Sequence, residues 1–523
     1  MLKSFFTTRC ARMRRLAARI LAHRWFLLIF ALAIIARVSV LLRSQRWADG
    51  DESVVGVMAL HLLRQGVWPI YFLGQPYGGG AAIEADLAAA SFGLFGVSSV
   101  SLKMVPLLFS LIALCFFYLA ADRAWGRSAA LWVAACLTAA SPLIEWNFKA
   151  RGGYAEIPLF TALIFFLLTK LGDEPRARLW ELLLLGFTMG FAYYSLELIV
   201  PLFVAIFVYV AIIRPDFARP RGIVPFTLGT LLGLLPCLLY NWRYQNLNFR
   251  FIYQAAAHSS WNFESLQKRA FEHFPKFFQA ANVDGYPDRI ALQAVVETCL
   301  YMGAALVAAF VVGRRLQKKF ELATLCLIQV LVQLPIILMS ARIDDSPRYF
   351  LPVFFPILLL ACFAVAQMAR ARRHFLRWVG YCAGASLLLF GAISHARYMH
   401  DALVTDDVPI SPERLVNVKV RGDSIEKIIA LLRTTGVTYA RAPYFVLWRI
   451  DFESQEKIIA ASGELHPSDS RYLPYARAVR LAKTSAVILH KRSWENERFR
   501  GLPDYDLREV DDYNVYVPRA RAP

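Results

Sequence analysis

Long apolar runs recur along this chain, and no other feature of the sequence restricts its fold so strongly. Trp25–Leu42, Leu102–Ala121, Ala129–Ile144, Ala155–Leu171 and Ser346–Met368 approach or reach the ~20 residues that carry a helix across ~30 Å of hydrocarbon. Apolar residues make up 57% of the chain and charged residues 19%, whereas soluble domains hold about 45–50% and 25%. The chain therefore reads as a polytopic α-helical membrane protein. About eleven spans are expected, near 25–43, 101–121, 129–145, 155–171, 179–195, 197–213, 223–242, 291–313, 321–340, 347–369 and 378–396. A tight turn near Ser195 and Glu197 divides the fifth from the sixth.

A net charge of +19 over 523 residues would suit nucleic acid only if it formed a basic, aromatic-studded face on a soluble element. It does not. The excess sits between apolar runs, at Arg123 and Arg127, Arg176 and Arg178, Arg214, Arg219 and Arg221, Arg314, Arg315, Lys318 and Lys319, and Arg370, Arg372, Arg373 and Arg377. Short basic connections mark the cytoplasmic side. With a basic cytoplasmic N-terminus over residues 1–24, every inner connection is basic, and the alternating outer connections are long or mixed in sign. This parity places a C-terminal domain, residues 397–523, outside the membrane. The expected location is the inner membrane of a bacterium, with the N-terminus cytoplasmic and the C-terminus periplasmic. Lys3 to Arg24 precede an apolar run that ends without a small-residue cleavage site, as an uncleaved first span does. The eight cysteines all precede Arg397 and show no CxxC spacing, so the C-terminal domain does not depend on disulfides.

Within the membrane portion, residues 25–396, two outer connections exceed ordinary turns. Residues 44–100 contain an amphipathic stretch, Asp51–Gln65, and a small-residue stretch, Ala81–Phe95, both read as helices at the membrane interface. Residues 243–290 are rich in aromatic residues, histidine and arginine, which suits the headgroup level. The C-terminal segment reads as a small α/β domain. A capping box at Asp423 and Glu426 opens a helix that stops at Gly436, and strands are expected at Val437–Arg441, Lys457–Ala461, Ala486–His490 and Asn514–Val517.

The sharpest chemical signal is Asp49-Gly50-Asp51-Glu52, just past the first span. Clustered carboxylates serve a cation, a proton transfer or solvation, and Asp49 and Asp51 also sit where helix N-caps are favoured. Glu84, Asp86, Glu145, Glu156, Glu197 and Glu297 map to the same outer level, where ionisable groups face a cavity or a partner. Lys149, Arg151, Arg342 and Arg348 reach that level too, with Arg243, Arg250 and His258 in the longer loop, and guanidinium forks suit phosphate oxygens. Gly78-Gly79-Gly80 lacks the Lys-Ser/Thr ending of a P-loop, so it reads as a turn into a helix.

These features together resemble the GT-C membrane glycosyltransferases of the protein O-mannosyltransferase and lipid A aminoarabinose transferase group, glycosyltransferase family 39-like. The residues that carry the likeness are Asp51-Glu52, Gly93 to Gly96, Arg151-Gly152-Gly153-Tyr154-Ala155-Glu156-Ile157-Pro158, Arg348-Tyr349 and Pro352. The resemblance implies an inverting glycosyltransferase that uses a polyprenyl-phosphate-linked hexose or pentose. The acceptor would be a lipid, glycan or protein hydroxyl. Asp51, Glu52 and Glu156 would be catalytic, and Lys149, Arg151, Arg342 and Arg348 would bind the donor phosphate. A divalent cation, if used, would sit at Asp51 and Glu156. Gln75-Pro76 stands where aminoarabinose transferases have Lys-Pro, which argues against that sugar. The alternative class, a transporter or lipid-linked-sugar flippase, would favour internal repeats and midplane sites, and the sequence shows no repeat.

Overall fold

The computed structural model describes residues 23–173, 178–213, 220–257, 263–278, 292–313, 321–339, 347–399, 403–462 and 471–519. Each expected span is helical, but the segments are not alike. Among the described residues six helices are long and apolar enough to cross a membrane, or seven if the bent pair Arg221–Gly233 and Leu235–Arg243 is one span. Segments such as Arg127–Ala139 and Glu197–Ile212 are shorter apolar helices. The turn expected near Ser195 is present: the Leu179–Ser195 helix gives way to a 3-10 turn at Glu197–Ile199.

Burial sorts the spans by position. Pro347–Ala369 is 94% buried and His374–Tyr398 only 22%, so the first is the hub of the bundle and the second lies at its periphery. A helix apolar on every side belongs inside. Leu179–Ser195 and Pro220–Gly233 pack backbone to backbone. A Cβ at Gly186 would lie 2.0 Å from the Phe226 carbonyl oxygen, and one at Gly229 would lie 2.0 Å from that of Leu183. Small residues at four-residue spacing permit this approach.

The C-terminal domain begins with an antiparallel hairpin, β1 (Leu403–Ser411) and β2 (Arg414–Arg421). It continues into a five-stranded sheet of β3 (Tyr439–Arg441), β4 (Ile459–Ala461), β5 (Ala486–His490), β6 (Tyr505–Val510) and β7 (Tyr513–Pro518), in the order β4-β3-β5-β7-β6. The strand β3 runs parallel to β4 and β5, and β7 is antiparallel to β5 and β6. Four of the strands match the sequence expectation; the hairpin and β6 were not foreseen. Asp423 does not form the expected capping box. It pairs with Arg421 and Lys427 at 3.0 Å, while Glu426 accepts from Trp47 Nε1 at 3.0 Å.

The apolar face of the Gly50–Gln65 helix, expected to lie against the membrane interface, is covered by protein. Glu52 through His61 are all buried, because the Tyr444–Glu453 helix of the C-terminal domain packs directly on it. A Cβ at Gly50 would come within 2.7 Å of Phe445 Cα, and one at Gly56 within 2.5 Å of the Phe452 ring. Val54, Val55 and Met58 share one apolar core with Trp448, Ile450 and Phe452. The first connection is thus a layer of protein between the bundle and the C-terminal domain. In the longer connection, Phe274, Phe277 and Phe278 join Tyr301, Phe350 and Phe354 in a core cluster; His258 lies outside the described residues.

Candidate active site

The N-terminus of the Gly50–Gln65 helix is built by a capping box at Asp49 and Glu52. The Glu52 N–H donates to Asp49 Oδ1 at 2.9 Å and the Asp49 N–H donates to Glu52 Oε2 at 2.9 Å. Residues 147–155 run beside this turn. Lys149 Nζ lies 2.7 Å from Asp49 Oδ2, 3.2 Å from Glu145 and 3.7 Å from Glu52. Lys103 Nζ, from the Ser99–Trp125 helix, lies 2.9 Å from Glu52, and both side chains have 0% exposure. The Ala150 N–H also donates to Glu52, at 3.3 Å. Glu52, expected among the catalytic residues, is enclosed and fully engaged as the inner anchor of the helix start. Lys149, expected at the donor phosphate, is committed to Asp49, Glu145 and Glu52.

Asp51 points the other way, into the seam between the bundle and the C-terminal domain, and its side chain is 16% exposed. Arg151 Nε donates to Asp51 Oδ2 at 2.8 Å and the Tyr444 hydroxyl donates to Oδ1 at 2.7 Å. Arg471 Nη2 stands 3.8 Å from Oδ1. Burial alone would raise the Asp51 pKa, but the Arg151 and Arg471 charges outweigh it and hold the carboxyl below its ordinary value. Burial likewise opposes ionisation of Asp49, and Lys149 and Arg151 overcome it. Both groups are carboxylates near neutrality. Tyr444 is shifted the opposite way, by burial and then by the Asp51 charge, and so remains a phenol.

Glu84, on the Gly79–Phe95 helix, accepts from the Gly152 N–H at 2.9 Å and the Gly153 N–H at 3.5 Å. Burial pushes its carboxyl up to about 8. Gly152 and Gly153 have φ of 76° and 102°, which only glycine adopts without strain. A Cβ at Gly80 would come within 2.2 Å of Gly153 Cα, so the Gly78–Gly80 run is needed for close backbone approach. Glu156 lies against Glu84 and is 1% exposed. Apart from the Glu84 carboxyl, its oxygens meet no side-chain donor among the described residues. Two carboxyl groups so placed are satisfied by sharing a proton. Asp51 and Glu156, expected as ligands of one cation, face different partners here: Arg151, Tyr444 and Arg471 for the first, Glu84 for the second. Among the described residues no three His, Cys, Asp or Glu side chains converge to hold a metal.

Arg348 is stacked 5.5 Å from the Tyr154 ring and 5.2 Å from the Tyr349 ring. Tyr77 lies within electrostatic reach of Arg471, Asp51, Tyr349 and Arg348, which links this arginine to the Asp51 seam. Arg342 lies outside the described residues. Glu297 forms a separate network, accepting from Ser141 at 2.9 Å. The structure brings Asp51, Arg151, Glu84, Glu156 and Arg348 together at one end of the bundle, as the sequence reading expected, while Lys103, Tyr444 and Arg471 carried no assigned role.

The architecture is shared with solved membrane proteins, and part of the chain matches a protein-family profile. The description "dolichyl-phosphate-mannose-protein mannosyltransferase" belongs to a family whose profile matches residues 85–241. ArnT from Cupriavidus metallidurans in the apo state is similar over 95% of this chain and 98% of its own, with a TM-score of 0.63 and 13% identity. The same protein bound to undecaprenyl phosphate gives a TM-score of 0.61 at 13% identity over the same shares, 95% and 98%. The archaeal oligosaccharyltransferase AglB from Archaeoglobus fulgidus, in complex with an inhibitory peptide and a dolichol-phosphate, is similar over 89% of this chain and 69% of its own, with a TM-score of 0.55 and 12% identity. No curated protein sequence matches the chain.

Proposed function

We propose that this protein is an inverting glycosyltransferase that moves a hexose or pentose from a polyprenyl-phosphate carrier to a hydroxyl of a lipid, glycan or protein. The observation that carries the reading is the Asp51 carboxylate, held ionised by Arg151 2.8 Å away in the seam between bundle and C-terminal domain. The GT-C architecture supports it, as does an ArnT structure that contains undecaprenyl phosphate. The basic connections between spans support a site on the periplasmic side of a bacterial inner membrane.

In this reading the acceptor hydroxyl attacks the anomeric carbon opposite the phosphate, and the carbon–oxygen bond to the phosphate breaks with its electron pair on the leaving oxygen. The acceptor proton passes to Asp51. A carboxylate held below its usual pKa is a weak base, so it takes the proton late, as bond formation acidifies the hydroxyl. Asp51 must then release one present partner, and the Tyr444 hydroxyl is the uncharged one. Arg151 and Arg348 oppose the charge growing on the departing phosphate, a role fixed cations perform well in a water-poor site. We assign that charge to arginines rather than to a divalent ion at Asp51, whose oxygens already face Arg151, Tyr444 and Arg471; transfer in EDTA tests this.

The decisive experiment supplies the purified protein in lipid with a panel of polyprenyl-phosphate sugars and compares wild type with D51N. Transfer by wild type and its loss in D51N is expected. Undiminished transfer by D51N would remove Asp51 as the base, and substrate flux across liposomes without transfer would replace the enzyme reading with transport.

A further inference from the structure

The C-terminal domain is not a passive cover. Arg471 begins the described stretch that leads into the Leu473–Leu481 helix, and its guanidinium carbon lies 4.7 Å from the Phe72 ring and 4.7 Å from the Tyr444 ring. Held between two aromatic faces, one from each side of the seam, it is pre-organised rather than free to snorkel. Its backbone is fixed as well: a Cβ at Gly74 would lie 2.7 Å from the Arg471 carbonyl oxygen. The side chain is 18% exposed.

This held guanidinium is only partly used. Nη2 stands 3.8 Å from Asp51 Oδ1, beyond hydrogen-bond distance. Nη1 is buried and has no hydrogen-bond partner among the described residues. A buried N–H donor without a partner is costly, and an arginine so held is poised for an anion. The surroundings restrict which anion fits. Asp51 lies beside the guanidinium, bonded to Arg151 and Tyr444, and Tyr77 is within electrostatic reach of both Arg471 and Asp51. A phosphate matches the guanidinium fork, and its place is where the proposed base would meet a donor.

We propose that Arg471, supplied by the C-terminal domain, is a further ligand for the lipid-linked phosphate, so that docking of that domain completes the substrate site. The inference rests on the glycosyltransferase reading and extends it to a residue 420 positions from Asp51 in sequence. Arrival of the phosphate draws the guanidinium away from Asp51, which lessens the hold on the carboxylate as the acceptor needs it. Tyr444 is then a positioning residue that keeps Oδ1 aimed at the seam.

The test is binding of undecaprenyl phosphate to the full chain in nanodiscs, for wild type, R471Q, R471K and R492Q. Arg492 is an exposed control on the same domain. Loss of one charge-assisted contact predicts about tenfold or greater weakening in R471Q. R471K, which keeps the charge but not the fork, recovers part of it, and R492Q binds as wild type does. Undecaprenol, the uncharged alcohol, should bind equally to all four. R471Q binding as tightly as wild type while wild type binds well would refute the role of Arg471 and leave the enzyme reading intact. Failure of wild type to bind undecaprenyl phosphate would overturn both. Equal competition by inorganic phosphate would overturn the assignment to a lipid ligand. If R471Q does not fold, R471K decides: wild-type affinity in R471K refutes a fork-dependent contact.

Discussion

Lys103→Met is the most severe test of the network beneath the site. Lys103 and Glu52 both have 0% exposure and meet at 2.9 Å, and Lys103 also donates to Gln45 at 3.1 Å. Methionine preserves the length and apolar stem but removes the charge. Glu52 then keeps the Asp49 and Ala150 N–H groups, with Lys149 at 3.7 Å, a cation shared with Asp49 and Glu145. Breaking a buried pair by removing one partner costs about 3–5 kcal/mol. The upper part of that range is blunted here because Lys149 and two backbone donors remain. The expected loss is therefore ~3 kcal/mol, consistent with one lost hydrogen bond to a charged group plus incomplete compensation of the charge left behind. The measurement is unfolding in mixed micelles titrated with SDS, followed by helical circular dichroism. Adding E52Q to K103M neutralises the stranded carboxylate and should recover at least ~1.5 kcal/mol, a coupling in the range expected of contacting residues. An unfolding free energy for K103M within about 1 kcal/mol of wild type, or no recovery in the double variant, would refute the argument.

The remaining expectations concern the site itself. D51N should lower transfer by roughly 10²–10⁴-fold, the usual contribution of a positioned base, with the melting temperature as a control for folding. Because Asp51 is held below its ordinary pKa, its ionisation supports both activity and stability above the unfolded value and is lost only as pH falls through the lower folded value. Transfer should therefore not decline through loss of this base between pH 5 and 7, and Y444F should move the acid limb of kcat/KM upward. Glu84 behaves oppositely: burial raises it to about 8, so its contribution is full below the ordinary carboxyl pKa and is lost progressively as pH rises from there through about 8. Melting temperature should fall between pH 6 and 9 in wild type and fall less in E84Q; equal declines would remove Glu84 as the cause. G80A places a Cβ 2.2 Å from Gly153 Cα, a backbone clash that should displace the Arg151-bearing loop and reduce donor binding along with thermal stability.

Two sequence patterns of the same form had different fates, and the contrast shows where local reading fails. Asp49–Glu52 and Asp423–Glu426 both have the spacing of a capping box, yet only the first forms one. Asp423 has Arg421 and Lys427 within 3.0 Å, cations that compete with the helix N–H groups. The hairpin over Leu403–Arg421 was missed although Val416, Val418 and Val420 alternate with Asn417 and Lys419, because Asp406 stands among the apolar positions Val404, Val408 and Ile410 of its first strand. The amphipathic face of Gly50–Gln65 was visible, but an apolar face does not state whether lipid or protein covers it.

By itself the sequence determined the membrane class, the helical segments, four strands of the C-terminal sheet and the gathering of acids with cations at one end of the bundle. These properties depend on hydrophobicity over a window and on the parity of spans, which are local or additive. The tertiary structure alone decided that Glu52 anchors the helix start, that Glu84 and Glu156 form their own pair, and that Asp51 faces Arg151, Tyr444 and Arg471. Arg151 is 100 residues from Asp51 and Tyr444 is 393. Contacts at such separations are chosen by the packing of whole elements. Two carboxylates one residue apart on a helix point in different directions, so Asp51 reaches the seam while Glu52 turns into the core.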